Sequence, residues 1–154
     1  MVWCYPPVNM AWLSPYDILL TVSIPHGTPP ALDIVDETFL AVPPKTIAAA
    51  FADPAAWREY WPDLVLEVYT DRGDEGLRWT VRGALVGTME VWLEPMLDGT
   101  LLHYFLRATP AVPPRPSRVR REFDRRARAA KRIALRLKEI LEDGREPGVP
   151  PPDH

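Results

Sequence analysis

The run from Ser117 to Glu142 constrains this chain more than any other stretch, because it is the only segment long and periodic enough to be a helix spanning a whole domain. Val119, Phe123, Ala127, Ala130, Ala134, Leu137 and Leu141 recur every three or four residues, and Ile133 and Ile140 widen the stripe, which is the signature of an amphipathic helix. Ser117 after Pro116 stands where an N-cap belongs, and Gly144 where a left-handed stop belongs. At about 1.5 Å per residue such a helix is roughly 35–40 Å long. The stripe is bulky at its ends and small in its middle (Ala127, Ala130, Ala134), so its centre either lets a sheet come close or leaves room for something else.

The other faces of this helix are crowded with arginine and lysine. Glu122–Arg126 and Asp124–Arg128 are favourable pairs one turn apart, but they cannot neutralise so many cations. Residues 115–145 hold 12 Lys/Arg against 5 Asp/Glu, a balance of +7, whereas residues 1–114 hold 6 against 14, a balance of −8. An acidic body that offsets its own basic helix accounts for this, and a basic outer face that meets anionic lipid or another protein is the sharper alternative. Nucleic acid is not expected as a partner, since most of the chain is acidic and no reading motif occurs.

A chain of 154 residues suits one domain. Cys4 is the sole cysteine, so neither a disulfide framework nor a thiolate metal site can be built, and a cytoplasmic location is expected. The first Lys or Arg is Lys45, and Pro6, Pro7 and Pro15 break the early apolar residues, which makes a poor signal peptide. Residues 1–31 form a leader of uncertain order, within which Asp17–Ile24 has the composition of a strand. Residues 32–143 are expected to be the folded domain, and 144–154 a proline-rich disordered tail.

Within the domain, Leu32–Ala41 alternates as a first strand ended by Pro43 and Pro44. Thr46–Ala52 reads as a short helix, and Asp53-Pro54 opens a second one carrying Trp57, Tyr60 and Trp61 and stopped by Pro62. Strands at Leu64–Thr70, Leu77–Arg82, Val86–Glu94 and Thr100–Thr109 follow, joined by turn signals at 71–74, 83–84 and 98–99. The result is an antiparallel meander leading into the long helix, an α+β arrangement.

This order of elements is that of the helix-grip fold, a curved antiparallel sheet wrapped around a C-terminal helix with two short helices after the first strand. The stretch Ala41-Val-Pro-Pro-Lys-Thr-Ile-Ala-Ala-Ala-Phe-Ala-Asp-Pro-Ala-Ala-Trp-Arg-Glu-Tyr-Trp-Pro62 resembles the first helical pair of the START-like (SRPBCC, Bet v 1-like) superfamily, which includes the polyketide cyclase/dehydrase and lipid-transport family. In that superfamily a proline after the first strand, an Asp-Pro between the helices and a Trp-x-Pro-like ending recur. The resemblance covers roughly residues 32–142 and implies the fold. Its members differ in function, from lipid carriers to cyclases. Four strands lie between Pro62 and Pro110 where the superfamily usually has six, which implies a short sheet.

Strand alternation divides the meander into two faces. Leu64, Leu66, Val68, Leu77, Trp79, Val81, Met89, Val91, Leu93, Leu102, Tyr104 and Leu106 form an almost wholly apolar set expected to face the helix. Glu67, Arg78, Arg82, Glu90, Trp92, Glu94, His103, Phe105 and Arg107 form the opposite face, because burying their charges unpaired would cost several kcal/mol each. Arg78 and Arg82 are expected to pair with Glu90 and Glu94 across strands, and His103 to be a solvated strand histidine. Trp92 and Phe105 on that face call for a cover.

Three functions follow as expectations. The first is non-covalent binding or carriage of a small hydrophobic, lipid- or polyketide-like ligand in a cavity under the helix. Its lining would be Trp57, Trp61, Leu66, Val68, Trp79, Val81, Met89, Val91, Leu102, Tyr104, Leu106, Phe123, Ala127, Ala130 and Ala134, with Tyr104 and Trp79 orienting the ligand. The second, implied by the resemblance, is a polyketide cyclase or dehydratase using Tyr104, His103 and Arg82. The third is an interaction module with a filled core, whose basic helix binds a partner or an anionic membrane surface. A homodimer is a further expectation. No metal or other cofactor is expected: His26 and His154 have no second ligand nearby, and no phosphate loop, dinucleotide fingerprint or nucleophile elbow occurs.

Overall fold

The computed structural model describes residues 31–146, 148 and 149. The leader at 1–30, with its candidate strand at 17–24, and positions 147 and 150–154 of the tail lie outside the described residues. The elements run β1 (Leu32–Leu40), α1 (Pro44–Ala52), α2 (Pro54–Tyr60), β2 (Leu64–Asp71), a single 3₁₀ turn (Gly73–Glu75), β3 (Gly76–Gly83), β4 (Leu85–Met96), β5 (Gly99–Pro110) and α3 (Pro116–Glu142). All five strands form one antiparallel sheet in the order β1-β5-β4-β3-β2. With the two short helices after β1 and the long helix at the end, this is the helix-grip arrangement.

Local chemistry accounts for the boundaries. Pro54 stands at the first position of α2, and the Asp53 carboxylate accepts a hydrogen bond from Ala55 N at 2.8 Å, which satisfies an otherwise free helical donor. At α3 the expected Ser117 cap is displaced. Pro116, which has no N–H to satisfy, takes the first helical position, and Arg115 is the N-cap without a side-chain hydrogen bond. Asp143 and Gly144 both carry positive φ at the helix's end. Gly76 opens β3 with φ of 112°, where an added Cβ would meet Val91 O at 2.0 Å, so only glycine lets β3 lie against β4 there.

The period-two reading of the faces holds on β3, β4 and β5, where Leu77, Trp79, Val81, Met89, Val91, Leu93, Leu102, Tyr104 and Leu106 are buried with Ala130, Ala134 and Leu137 of α3. It weakens on the edge strand β2. The pairing shifts between Val68 and Thr70, leaving Tyr69 as an extra residue, and Val65, Val68 and Tyr69 are exposed.

Two features of α3 differ from the sequence reading. Ile140 is 60% exposed, whereas Arg126 is 4% exposed and belongs to the buried stripe. Arg126 holds both oxygens of Asp63, at 2.9 and 2.6 Å, and its Nε donates to Glu122 at 2.8 Å, the expected one-turn pair. Arg125 adds bonds to the same two carboxylates. Asp124 pairs with Arg120 in place of Arg128. Burial pushes the Asp63 carboxyl up, but hydrogen bonds from Arg126 and Arg125 more than offset this and hold it below its ordinary value. The Arg125 hydrogen bond, opposed by burial and helped by Arg126, lowers Glu122 likewise.

The second half of α3 closes the open edge of β1. Lys131 Nζ donates to Glu37 O and Thr38 Oγ1, Lys138 Nζ donates to Phe39 O, and Ala41 N donates to the Glu142 carboxylate. Side chains of a helix thus satisfy peptide groups that a further strand would otherwise take. Arg136 reaches Glu59 of α2 and Lys131 reaches Asp36, so acidic groups of the body do offset part of the basic helix.

Candidate functional site

The expected cavity under the middle of α3 is closed. Phe51, Trp61, Val91, Leu102, Tyr104, Ala130, Ile133 and Ala134 surround free space of about 10 Å³, no more than a single water needs. The alanines do leave room, and aromatic rings take it. Phe51, Trp61 and Tyr104 lie nearly parallel in sequence, with centroids 6.4 and 6.2 Å apart, and Trp79 meets Phe51 edge-on at 6.5 Å.

The open concavity lies at one end of the same core, between α1 and the β2–β3 connection, with a volume of about 370 Å³. Its floor is Leu77 of β3, Val91 and Leu93 of β4 and Val68 of β2. Phe51 and Trp57 form one wall, and Lys45, Ala48, Ala49 and Ala52 present the flank of α1. Asp71, Gly73, Asp74 and Gly76 close the far side, so the mouth is ringed by Lys45 and two carboxylates over an apolar base. Small residues explain why the gap stays open: three alanines on α1 face two glycines beside the 3₁₀ turn. Trp57 is fixed in place by its Nε1, which donates to Phe51 O at 2.7 Å, and it meets Trp79 edge-on at 5.5 Å. Below it the buried Trp79 Nε1 has no hydrogen-bond partner among the described residues.

Of the residues expected to hold a ligand, Trp57, Val68 and Val91 line this cleft. Trp61, Leu102, Tyr104, Ala130 and Ala134 surround the closed interior, and Trp79, Val81, Met89 and Leu106 are buried in the core. Leu66, Phe123 and Ala127 pack half-buried against that core. The sequence reading missed Lys45, Ala48, Ala49 and Ala52, as well as the glycines. The signal was present, because an alanine run followed by Phe51 marks a helix flank with nothing large on it.

The three candidate catalytic residues are not brought together. Tyr104 is on the inner face, where burial pushes its hydroxyl pKa well up, the Arg126 charge and a Trp61 hydrogen bond pulling only partly back. His103 is on the outer face, as its parity requires, but it is 6% exposed rather than solvated. Its ring lies 4.4 Å from Trp92 and 6.2 Å from Phe105, stacked on both, and Nδ1 and Nε2 sit 3.1 and 3.0 Å from the carboxylates of Glu37 and Glu94. Glu94 is therefore taken by His103 and not by Arg82, which lies opposite Val65 at the far end of β3. Arg78 does pair with Glu90, which also receives Arg72. Among the described residues no cluster of three or more His, Cys, Asp or Glu could hold a metal ion, and no helix is long and apolar enough to cross a membrane.

A helix-grip domain with a filled centre and a side cleft is the class these observations define. The same fold occurs in the solution structure of the Aha1 dimer from Colwellia psychrerythraea, with a TM-score of 0.55 at 13% identity over 75% of this chain and 99% of that one. Protein Ms6760 from Mycobacterium smegmatis matches with a TM-score of 0.56 at 14% identity, covering 73% and 92% of the two chains. Protein MLL2253 from Mesorhizobium loti gives 0.55 at 18% identity, covering 74% and 99%. No protein-family model matches the chain, and no curated protein matches it in sequence. At these identities the likeness is one of fold.

Proposed function

We propose that this chain is a START-like domain that binds a small hydrophobic ligand non-covalently in the cleft between α1 and the β2–β3 connection. The observation that carries this reading is the cleft itself. Its volume of about 370 Å³ falls in the range of small-molecule pockets, roughly 300–1,000 Å³, and it has an aliphatic floor and an aromatic wall. Burial of apolar ligand surface contributes about 25 cal/mol per Å². A cyclase or dehydratase reading has less support, because Tyr104, His103 and Arg82 do not share one cavity.

A neutral fluorescent probe, N-phenyl-1-naphthylamine, tests the cleft. Binding is expected to the full chain and to fall at least tenfold in Ala49→Trp, which fills the cleft from its exposed flank, with an unchanged melting temperature. Equal binding by the filled variant would overturn the reading.

A second reading, the interaction surface, is favoured by a specific pattern on α3. Arg118, Arg121, Arg128 and Arg132 recur at helical spacing and form no ion pair among the described residues, while Arg125, Arg126, Lys131, Arg136 and Lys138 are paired within the domain. Such a stripe suits an acidic partner or an anionic membrane surface. Co-flotation with vesicles containing phosphatidylserine is expected to disappear at high salt and in Arg121→Glu/Arg128→Glu. A homodimer would use the open β2 edge, where Val65 and Tyr69 are exposed, and sedimentation of Val65→Lys tests it.

A further inference from the structure

The outer face of the sheet carries a second concavity, of about 510 Å³, that is separate from the α1 cleft. Strand register builds it row by row. Arg107 lies opposite Thr88, Phe105 opposite Glu90, and Glu90 opposite Arg78. In the next row His103 lies opposite Trp92 and Trp92 opposite Gly76, which has no side chain. Tyr69, the extra residue of β2, and Arg72 complete the rim.

Three guanidinium groups, Arg72, Arg78 and Arg107, therefore line this cleft against the single carboxylate of Glu90. Asp33 pairs with Arg107 only at 3.3 Å and in an exposed position. Arg72 and Arg78 both converge on Glu90. Arg72 bonds Glu90 through Nη2, and Arg78 Nε lies 3.0 Å from Glu90 Oε2, within ion-pair reach but too poorly aligned for a hydrogen bond. Three guanidinium groups against one lining carboxylate leave an excess of positive charge that favours an anion, and guanidinium forks match a carboxylate. The walls add a second demand, because Tyr69, Trp92 and Phe105 offer ring faces. Trp92 is not free to turn away, since it is stacked at 4.4 Å on His103, which Glu37 and Glu94 grip from both sides. Fixed rings beside excess guanidinium charge suit one ligand shape, a flat ring bearing a carboxylate.

We infer that this outer cleft binds a planar aromatic carboxylate, its ring lying against Trp92 and Phe105 and its carboxylate on Arg107 and the arginine pair at Glu90. The site is independent of the α1 cleft, and the experiment keeps the two apart. 2-Naphthoate is titrated against the full chain by calorimetry and by quenching of tryptophan fluorescence, beside its uncharged analogue 2-naphthamide.

The expected result is saturable binding of naphthoate, at least tenfold weaker binding of the amide, and a loss of at least tenfold in Arg107→Gln and in Arg72→Gln. Ala49→Trp, which fills the α1 cleft, is expected to leave naphthoate affinity unchanged. Arg107 is exposed and Gln keeps a polar side chain there, so this variant reads binding rather than folding. Absence of binding, equal binding of acid and amide, undiminished binding by both arginine variants, or loss of binding in Ala49→Trp would each overturn the inference.

Discussion

The space under the centre of α3 and the cleft beside α1 lie on the same apolar sheet face, share Phe51 and Val91, and differ in free volume between about 10 and about 370 Å³. Both are bordered by an alanine-rich helix flank, Ala130 and Ala134 in one and Ala48, Ala49 and Ala52 in the other. Small residues on the helix are therefore not enough by themselves to keep a cavity open here. Under α3 the chain after α2 delivers Trp61 onto Tyr104, and these two rings with Phe51 take up the room that the alanines leave. Beside α1 the opposing residues are Gly73 and Gly76, and nothing fills the gap. A binding fold becomes a packed one, or the reverse, through a few aromatic side chains.

The sharpest way to break that contrast is Trp61→Ala, which should convert the closed region into an open one. A loss of about 3–5 kcal/mol in urea unfolding is expected from the cavity, partly restored by indole in the buffer. No rescue by indole would show that the region collapses. Next in size is Asp63→Ala, which strips Arg126 of its bidentate partner while leaving that guanidinium buried. About 3 kcal/mol is expected, the low end for a broken buried pair, since Glu122 remains and Asp63 is one-third exposed.

Acid tests the same clamp without mutation. The carboxyls of Asp63 and Glu122 are held below their ordinary values, so the stability they contribute is full above the unfolded carboxylate range of about pH 4. It is lost as pH falls through their lowered values. Asp63→Ala should flatten that part of the stability profile, and an unaltered acid slope would remove the clamp from the account. The smallest effect belongs to the β4–β5 hairpin, where Leu97 adopts φ of 52° and is 96% exposed. Leu97→Gly is expected to raise stability by about 1 kcal/mol, read as a higher urea midpoint, with no change at either cleft.

Much of the fold was legible because strand and helix periods are properties of the residues themselves. Trp79, Met89, Val91 and Leu106 fall inside because they share parity with their neighbours, and Asp53-Pro54 marks a helix start wherever it occurs. What escaped depends on groups far apart in sequence. His103 falls on the outer face by parity, but its two nitrogens are met by Glu37 on β1 and Glu94 on β4, which only register brings there. Arg126 could have been found: the spacing from Phe123 to 126 to Ala130 keeps to the buried stripe, and Asp63 after Pro62 is the acid it needs. The closed centre could not, because whether Trp61 lies over Tyr104 or beside it is a matter of side-chain direction and not of period.

The sealing of β1 by Lys131, Lys138 and Glu142 also has a temporal side. Strand β1 leaves the ribosome early, while the groups that satisfy its rim follow roughly a hundred residues later, with Glu142 reaching Ala41 across 101 positions. Until α3 arrives, a growing chain holds a raw strand margin that any neighbouring nascent chain could zip onto. The long helix is in this sense the protein's own chaperone for its first strand, and translation that stalls before Lys131 is added should yield aggregates rather than a loosened monomer.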